Sequence, residues 1–312
     1  MSWRLSIRIL GVVLLAGIFY TIRWSEVAGI LLALRLPCLF GYVLCYGAFL
    51  LIRSGRLQLA LAKLGYELNY HNCYIATVEP AFLGVATPGR LGEFTKVGHL
   101  HGKGISTPDA ISLVLVERLI DLWILSVFGL AGAVYIFLSA GSLVAAGLVV
   151  FIGILLGFLL VKKWNYLLRV CSPSMTGNHW LNTQPWTERW RVLSGALERV
   201  SNRCGSLLLS IGLFCVGLSF CQILFLAGAF GFEVDPLIVL FAYATSTLIA
   251  IIPISVGGLG TREASYLLIM QQAGIGKEQA VAFSLIDGVI FGVGIPFCLV
   301  LLAWCWGLVR RS

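Results

Sequence analysis

Along the chain, apolar stretches of membrane-spanning length alternate with short polar segments. A spanning helix needs about 20 predominantly apolar residues. Residues 3–22 supply the first stretch. Arg4 and Arg8 lend it the look of a signal peptide, but no small-residue cleavage site follows, so it is read as an uncleaved anchor. The mixed segment 22–34 is expected at the membrane surface. Further spans are predicted over 37–52, 109–138, 141–161, 206–230 and 279–309. Two segments have one apolar face only. In 53–72, Leu57, Leu61 and Leu64 form a stripe beside Arg53, Arg56 and Lys63, which predicts a helix lying in the interface. In 162–204, Trp186, Trp190, Leu193, Leu197 and Val200 recur at helical spacing, which predicts a cytoplasmic amphipathic loop on the membrane surface.

Two stretches break this pattern, 73–101 and 236–271. They are too apolar for solvated loops and too broken for clean spans; the first contains Pro80, Gly84, Pro88, Gly89 and Gly92. Irregular backbone at membrane depth survives only where protein or a wet cavity covers it. Each is therefore expected to be a re-entrant helical hairpin, the first with its tip near 87–90. The two are also copies. Leu91-Gly92 aligns with Leu259-Gly260 (259 − 91 = 168), and Gly104-Ile105 with Gly274-Ile275 (274 − 104 = 170). At the second offset AISLVLVERLI overlays AVAFSLIDGVI, placing Glu117 on Asp287. Repeat 1 covers about 73–138 and repeat 2 about 237–309. The expected fold is an all-α polytopic membrane protein. It is one domain, 1–312, with about six transmembrane helices plus two re-entrant hairpins.

Composition agrees with a membrane protein. The chain is 59% hydrophobic and 12% charged, with mean hydropathy +0.95, where a soluble domain is about a quarter charged. The net charge of +8 does not indicate nucleic acid, because Lys and Arg lie between apolar segments rather than in one patch. With the N-terminus inside, fourteen Lys and Arg fall on the cytoplasmic side and two, Arg23 and Arg35, outside. This positive-inside bias puts both termini in the cytoplasm. It also makes the two hairpins enter from opposite faces, as an inverted repeat whose tips meet near the midplane. The nine Cys show no paired spacing and are read as packing residues. His71, His99, His101 and His179 lie near predicted interfaces, and no motif for a nucleotide, a metal or a serine nucleophile occurs, so no cofactor and no metal are expected.

Charges inside apolar segments must pair or face water, since lipid offers neither. The candidates are the cations Arg90, Lys96, Arg118 and Arg262 and the carboxylates Glu93, Glu117, Asp121, Glu263 and Asp287. Glu117 and Asp121 share a helix face. At the second tip Gly257 and Gly258 permit close backbone approach, and a half-helix N-terminus there suits a phosphate. The plainer alternatives are Gly/Pro breaks that serve packing and Arg–Glu pairs that only neutralise each other.

The motifs TPGRLGEFTKVGHL, VERLIDL and P-x-S-x-GGLGTRE together resemble the transmembrane domain of lysylphosphatidylglycerol synthase/flippase proteins, the MprF type, over nearly the whole chain. The resemblance implies a lipid-translocating membrane domain. It carries over to Pro88, Gly89, Gly92, Glu93, Glu117, Arg118, Asp121, Gly257, Gly258, Gly260, Arg262 and Glu263. The soluble aminoacyl-transfer domain of two-domain members is not expected, and with it no synthase activity. The function expected is a flippase of the inner membrane that moves an anionic phospholipid or a polyprenyl-phosphate-linked lipid through a central polar cavity. The alternatives are a membrane-embedded glycosyl- or phospho-transferase with Glu117 as general base, or a non-catalytic accessory subunit. A membrane lipid is the expected partner, nucleic acid is not, and a homo-oligomer is compatible with the sequence.

Overall fold

The computed structural model describes residue 20 and residues 22–87, 91–137, 143–162, 185–251 and 258–299. These residues are helical with short turns, and the protein is an all-α membrane protein. Residues 3–19 and 21 of the span expected over 3–22, the tip residues 88–90 and 252–257, and residues 163–184 lie outside the described residues.

In chain order the helices are α1 (Trp24–Leu32), α2 (Leu36–Leu64), α3 (Tyr70–Ala86), a 3-10 turn (Leu91–Phe94), α4 (Thr95–His101), α5 (Thr107–Phe137), α6 (Leu143–Lys162), α7 (Pro185–Phe230), α8 (Pro236–Ile251), α9 (Thr261–Gln272) and α10 (Lys277–Leu285). The last runs directly into π geometry over Ile286–Gly294. Two described helices, Leu36–Leu64 and Arg191–Phe230, are long and apolar enough to cross a membrane by themselves; Ala145–Leu160 and Pro236–Ile251 are shorter apolar helices. Leu148, Phe151, Ile152, Leu155 and Leu159 of α6 are exposed, the outward apolar face that hydrocarbon chains would cover.

Helices α2 and α7 form an antiparallel spine. Cys204 donates its thiol to the Ala60 carbonyl, Gly212 packs against Arg56, Gly41 lies under the Phe225 ring, and Gly228 touches Cys38. Residue numbers rise on one helix as they fall on the other. The glycines set the closeness of approach: a methyl group at Gly41 would stand 2.7 Å from the Phe225 ring.

The spine corrects two surface readings. The segment 53–64 does not lie in the interface but continues α2 inward, burying Ser54, Arg56, Leu57, Ala60 and Leu61. Likewise Leu197 and Val200, with Leu193 beside them, pack into the core rather than onto the membrane surface, because residues 185–204 belong to the same continuous helix as the span that follows. An amphipathic stripe fits either a lipid surface or a protein partner, and here the partner helix won.

Each end of the spine carries a core. One joins Leu57 and Leu61 of α2 to Leu100, Leu113, Ile120, Val200 and Leu208; the other joins Tyr42 to Ile223, Leu226, Tyr266, Met270 and Phe283. The first holds the hairpin α3–α4 with α5, the second the hairpin α8–α9 with α10. The hairpins share a turn in atomic detail. Gly104 and Gly274 have φ of 86° and 80°. The bonds Gly104 N–H to His101, Ile105 to Leu100 and Ala110 to Ser106 recur as Gly274 to Gln271, Ile275 to Met270 and Ala280 to Gly276. Every member is displaced by 170 positions (274 − 104). Helix α1 closes the second core, with Val27 packed beside Val281 and Ala282.

Candidate functional site

Helix α2 places Tyr42, Tyr46, Phe49, Leu50 and Arg53 on one face, and this face forms a wall of a cavity of about 130 Å³. Opposite stand Ala81, Val85 and Glu93 from the first hairpin, Ser219 and Gln222 from α7, Tyr243 and Thr247 from α8, Arg262 from α9, and Asp287 and Gly292 from the π segment. From Tyr42 to Arg53 the wall extends about 16 Å along the helix axis, roughly half the hydrocarbon thickness. One cavity thus joins charged residues of both sequence copies, with Arg53 and Glu93 at one end and Arg262 and Asp287 at the other.

At the first end the charges interlock. Arg56 is 1% exposed and Glu117 2%. Arg56 donates from Nη2 to Glu117 Oε1 at 2.5 Å and from Nη1 to Asp121 Oδ1 at 2.8 Å. Lys96 Nζ donates to the other Glu117 oxygen at 2.6 Å. Glu117 thus stands behind the cavity wall, held from both sides. Glu93 pairs with Arg118 and stands 3.6 Å from Arg53 Nη2. The hairpin brings Glu93 there by tight packing: Gly84 leaves room for the Glu93 side chain, and Gly92 lies against the Leu83 carbonyl, where a Cβ could not fit. Thr87 Oγ1 accepts the Gly92 N–H at 2.6 Å and donates to Leu83 O at 2.9 Å, fastening the two arms below the tip. A second fastening, 3.0 Å between His99 Nε2 and Glu79, joins α4 to α3.

At the second end, Asp287 accepts from Tyr42 Oη at 3.0 Å and Tyr266 Oη at 3.2 Å. Arg262 Nη1 approaches it to 3.9 Å, while Nη2 donates to the Ser284 carbonyl at 2.8 Å. The Arg262 guanidinium lies directly over Gly288, occupying the space of any side chain there. Asp287 stands in the π segment, whose widened turns carry it toward the cavity. Glu263 is fully buried and faces its own helix end: its carboxylate accepts the Gly260 N–H at 2.6 Å and a bond from Ser284 Oγ at 3.4 Å. The N-cap amide just before α9, at the helix end expected to suit a phosphate, is therefore already satisfied. Gly258 has φ of 78° and lies against Ala250, which closes the turn before α9.

Of the residues singled out in the sequence, Glu93, Arg262 and Asp287 line the cavity. Lys96, Glu117, Arg118 and Asp121 form the ion-pair cluster next to it, and Glu263 and Gly258 build the turn behind it. Arg90 and Gly257 lie outside the described residues. Sequence reading missed Arg53, Arg56, Tyr42 and Tyr266. A signal was present for the arginines, since the candidate carboxylates Glu93, Glu117 and Asp121 outnumber the candidate cations Lys96 and Arg118 beside them, and Arg53 and Arg56 stand beside an apolar stripe.

The halves treat equivalent positions differently. Lys96 and Tyr266, 170 apart, both donate to the carboxylate of the following helix, Glu117 or Asp287. The arginine changes side. At that offset Arg118 on α5 corresponds to Gly288, the glycine over which Arg262 of α9 lies. A search among curated proteins finds no match. Residues 5–301 match the family described as the lysylphosphatidylglycerol synthase TM region, and the chain belongs to that family.

Proposed function

We propose that this protein is a lipid flippase of the bacterial-type inner membrane, moving an anionic phospholipid or a polyprenyl-phosphate-linked lipid through the cavity between its two halves. The observation that supports this best is the cavity itself, lined at one end by Arg53 and Glu93 and at the other by Arg262 and Asp287. Charges of both signs at membrane depth are costly, and they commonly mark a pathway for a polar or charged substrate or ion. The acyl chains would stay in the bilayer while the headgroup passes between the ends. In the orientation favoured by the positive-inside bias, the Arg53 end faces the cytoplasm and the Arg262 end faces outward. The hairpins then form an inverted repeat, and alternating access amounts to one half rocking on the α2–α7 spine.

The test is reconstitution of the full chain in liposomes with a fluorescent-acyl phosphatidylglycerol. A flippase makes the inner-leaflet probe accessible to a membrane-impermeant quencher without covalent change. A new product would support the transferase, for which Glu117, clamped by Arg56 and Lys96, is poorly placed as a base. Neither change would support an accessory role. Topology is checked on a cysteine-free background: a thiol at Gly231 should label from outside and one at Asn182 only from inside. The reverse pattern would overturn the inverted orientation.

A further inference from the structure

The charges at the two ends of the cavity do not balance locally. Around the first end stand the cations Arg53, Arg56, Lys96 and Arg118 and the carboxylates Glu93, Glu117 and Asp121. The close contacts use up the carboxylates. Arg56 and Lys96 hold Glu117, Arg56 also holds Asp121, and Arg118 holds Glu93. Among the described residues, Arg53 is left as the surplus charge. Its approaches to Glu93, Asp121 and Glu117 are 3.6, 3.8 and 4.0 Å, beyond hydrogen-bond length. Its Nε is buried and donates to nothing among the described residues. The group stands 5.7 Å from the Phe49 ring centre, a contact that orients the guanidinium without satisfying its N–H groups.

The second end differs in sign, with Arg262 against Glu263 and Asp287. Arg53 is therefore a cavity-lining cation in locally positive surroundings, with a buried donor in want of an acceptor. Arg56, three residues on, is its contrast: the same side chain, fully buried and fully bonded, without a place on the cavity wall.

We infer that Arg53 is the anion-docking residue of the cavity, and that it takes a phosphate ester: its Nε–Nη fork engages two non-bridging oxygens of a singly charged phosphate. A guanidinium presents two parallel N–H donors at the spacing of phosphate oxygens, which an ammonium cannot do. A phosphate diester carries the single negative charge that cancels the surplus. This inference rests on the proposed transport of a phosphate-bearing lipid for its substrate class. It concerns binding alone, so it can hold where transport fails.

The experiment is equilibrium binding of a fluorescent-acyl phosphatidylglycerol to the purified full chain in detergent, for wild type, Arg53→Gln and Arg53→Lys. A fluorescent diacylglycerol serves as the uncharged comparison. Arg53→Gln is expected to bind the phosphatidylglycerol roughly tenfold or more weakly, the loss of charge-assisted bonds to one oxyanion. Arg53→Lys should fall between, and diacylglycerol binding should be unchanged. Removal of a surplus cation should leave the melting temperature at or above that of wild type, which separates a binding effect from a folding one. sn-Glycerol 1-phosphate is added as competitor. Displacement that depends on Arg53 supports the site and assigns it to soluble phosphate esters as well. Arg53-dependent binding without displacement supports it for the lipid headgroup. If Arg53→Gln keeps wild-type affinity for both phosphate compounds while folded, or loses diacylglycerol equally, the inference is overturned. Arg53-dependent binding in a protein that translocates nothing would sink the flippase reading and leave this one standing.

Discussion

Arg56→Gln should unfold the first half of the molecule at markedly lower temperature. The guanidinium makes four contacts, two to Glu117 at 2.5 and 3.2 Å and two to Asp121 at 2.8 and 3.2 Å. Bonds to charged groups contribute about 1.5–3 kcal/mol each, but these four share two acceptors and cannot be added. Removing one partner of a buried pair costs about 3–5 kcal/mol, because a carboxylate is left without its counter-charge. Glu117 would keep Lys96 at 2.6 Å, whereas Asp121 would keep only Arg53 at 3.8 Å. The lower half of that range, about 3–4 kcal/mol, is therefore expected. For a chain of 312 residues the unfolding entropy translates each kcal/mol into about 1.5 °C, so the melting point should fall by about 5 °C. Thiol labelling during heating is a suitable assay, since Cys204 is fully buried and bonded to Ala60, one turn from Arg56. Adding Asp121→Asn should recover part of the loss, with a coupling of about 0.5–3 kcal/mol. A variant that melts with wild type would mean that Arg56 reaches water in solution, and the reading of a sealed ion-pair cluster would fail.

Gly288→Ala places a methyl group in the space of the Arg262 guanidinium, so it should reproduce the transport loss of Arg262→Ala; full transport in liposomes would show that Arg262 need not hold its place beside Asp287. Tyr42→Phe and Tyr266→Phe each remove one of two phenolic donors to Asp287; each should cost about 1–2 kcal/mol, and the pair less or more than the sum because they share an acceptor. Thermal unfolding of the double variant reads this directly, and strict additivity would argue against the shared contact. Gly104→Ala and Gly274→Ala meet no atom within 4 Å but force a side chain to positive φ; each should cost about 1–2 kcal/mol by chemical denaturation, and unequal losses would count against the turns being equivalent.

The sequence by itself determined the membrane class, the two copies and their shared turn, because hydropathy and glycine placement act locally. A glycine that must adopt positive φ leaves the same mark wherever it stands, so Gly104 and Gly274 were legible as a repeat before their geometry was known. The demand that Glu93, Lys96, Glu117, Asp121, Arg262 and Asp287 find partners was legible too, since lipid cannot supply them. Which partners they find was not. Arg53 and Arg56 sit beside the leucine stripe of α2, a pattern equally suited to a helix at the membrane surface with its cations in water. The choice depends on α7, whose residues stand some 150 positions away and whose glycine at 212 lets Arg56 be enclosed. Tyr42 and Tyr266 read as ordinary aromatic residues of apolar helices until packing set both hydroxyls on Asp287. Arg53 and Arg56, three residues apart, point in directions only about 60° from each other, yet one faces the cavity and the other is sealed. Only tertiary packing decides which of those directions is cavity and which is core.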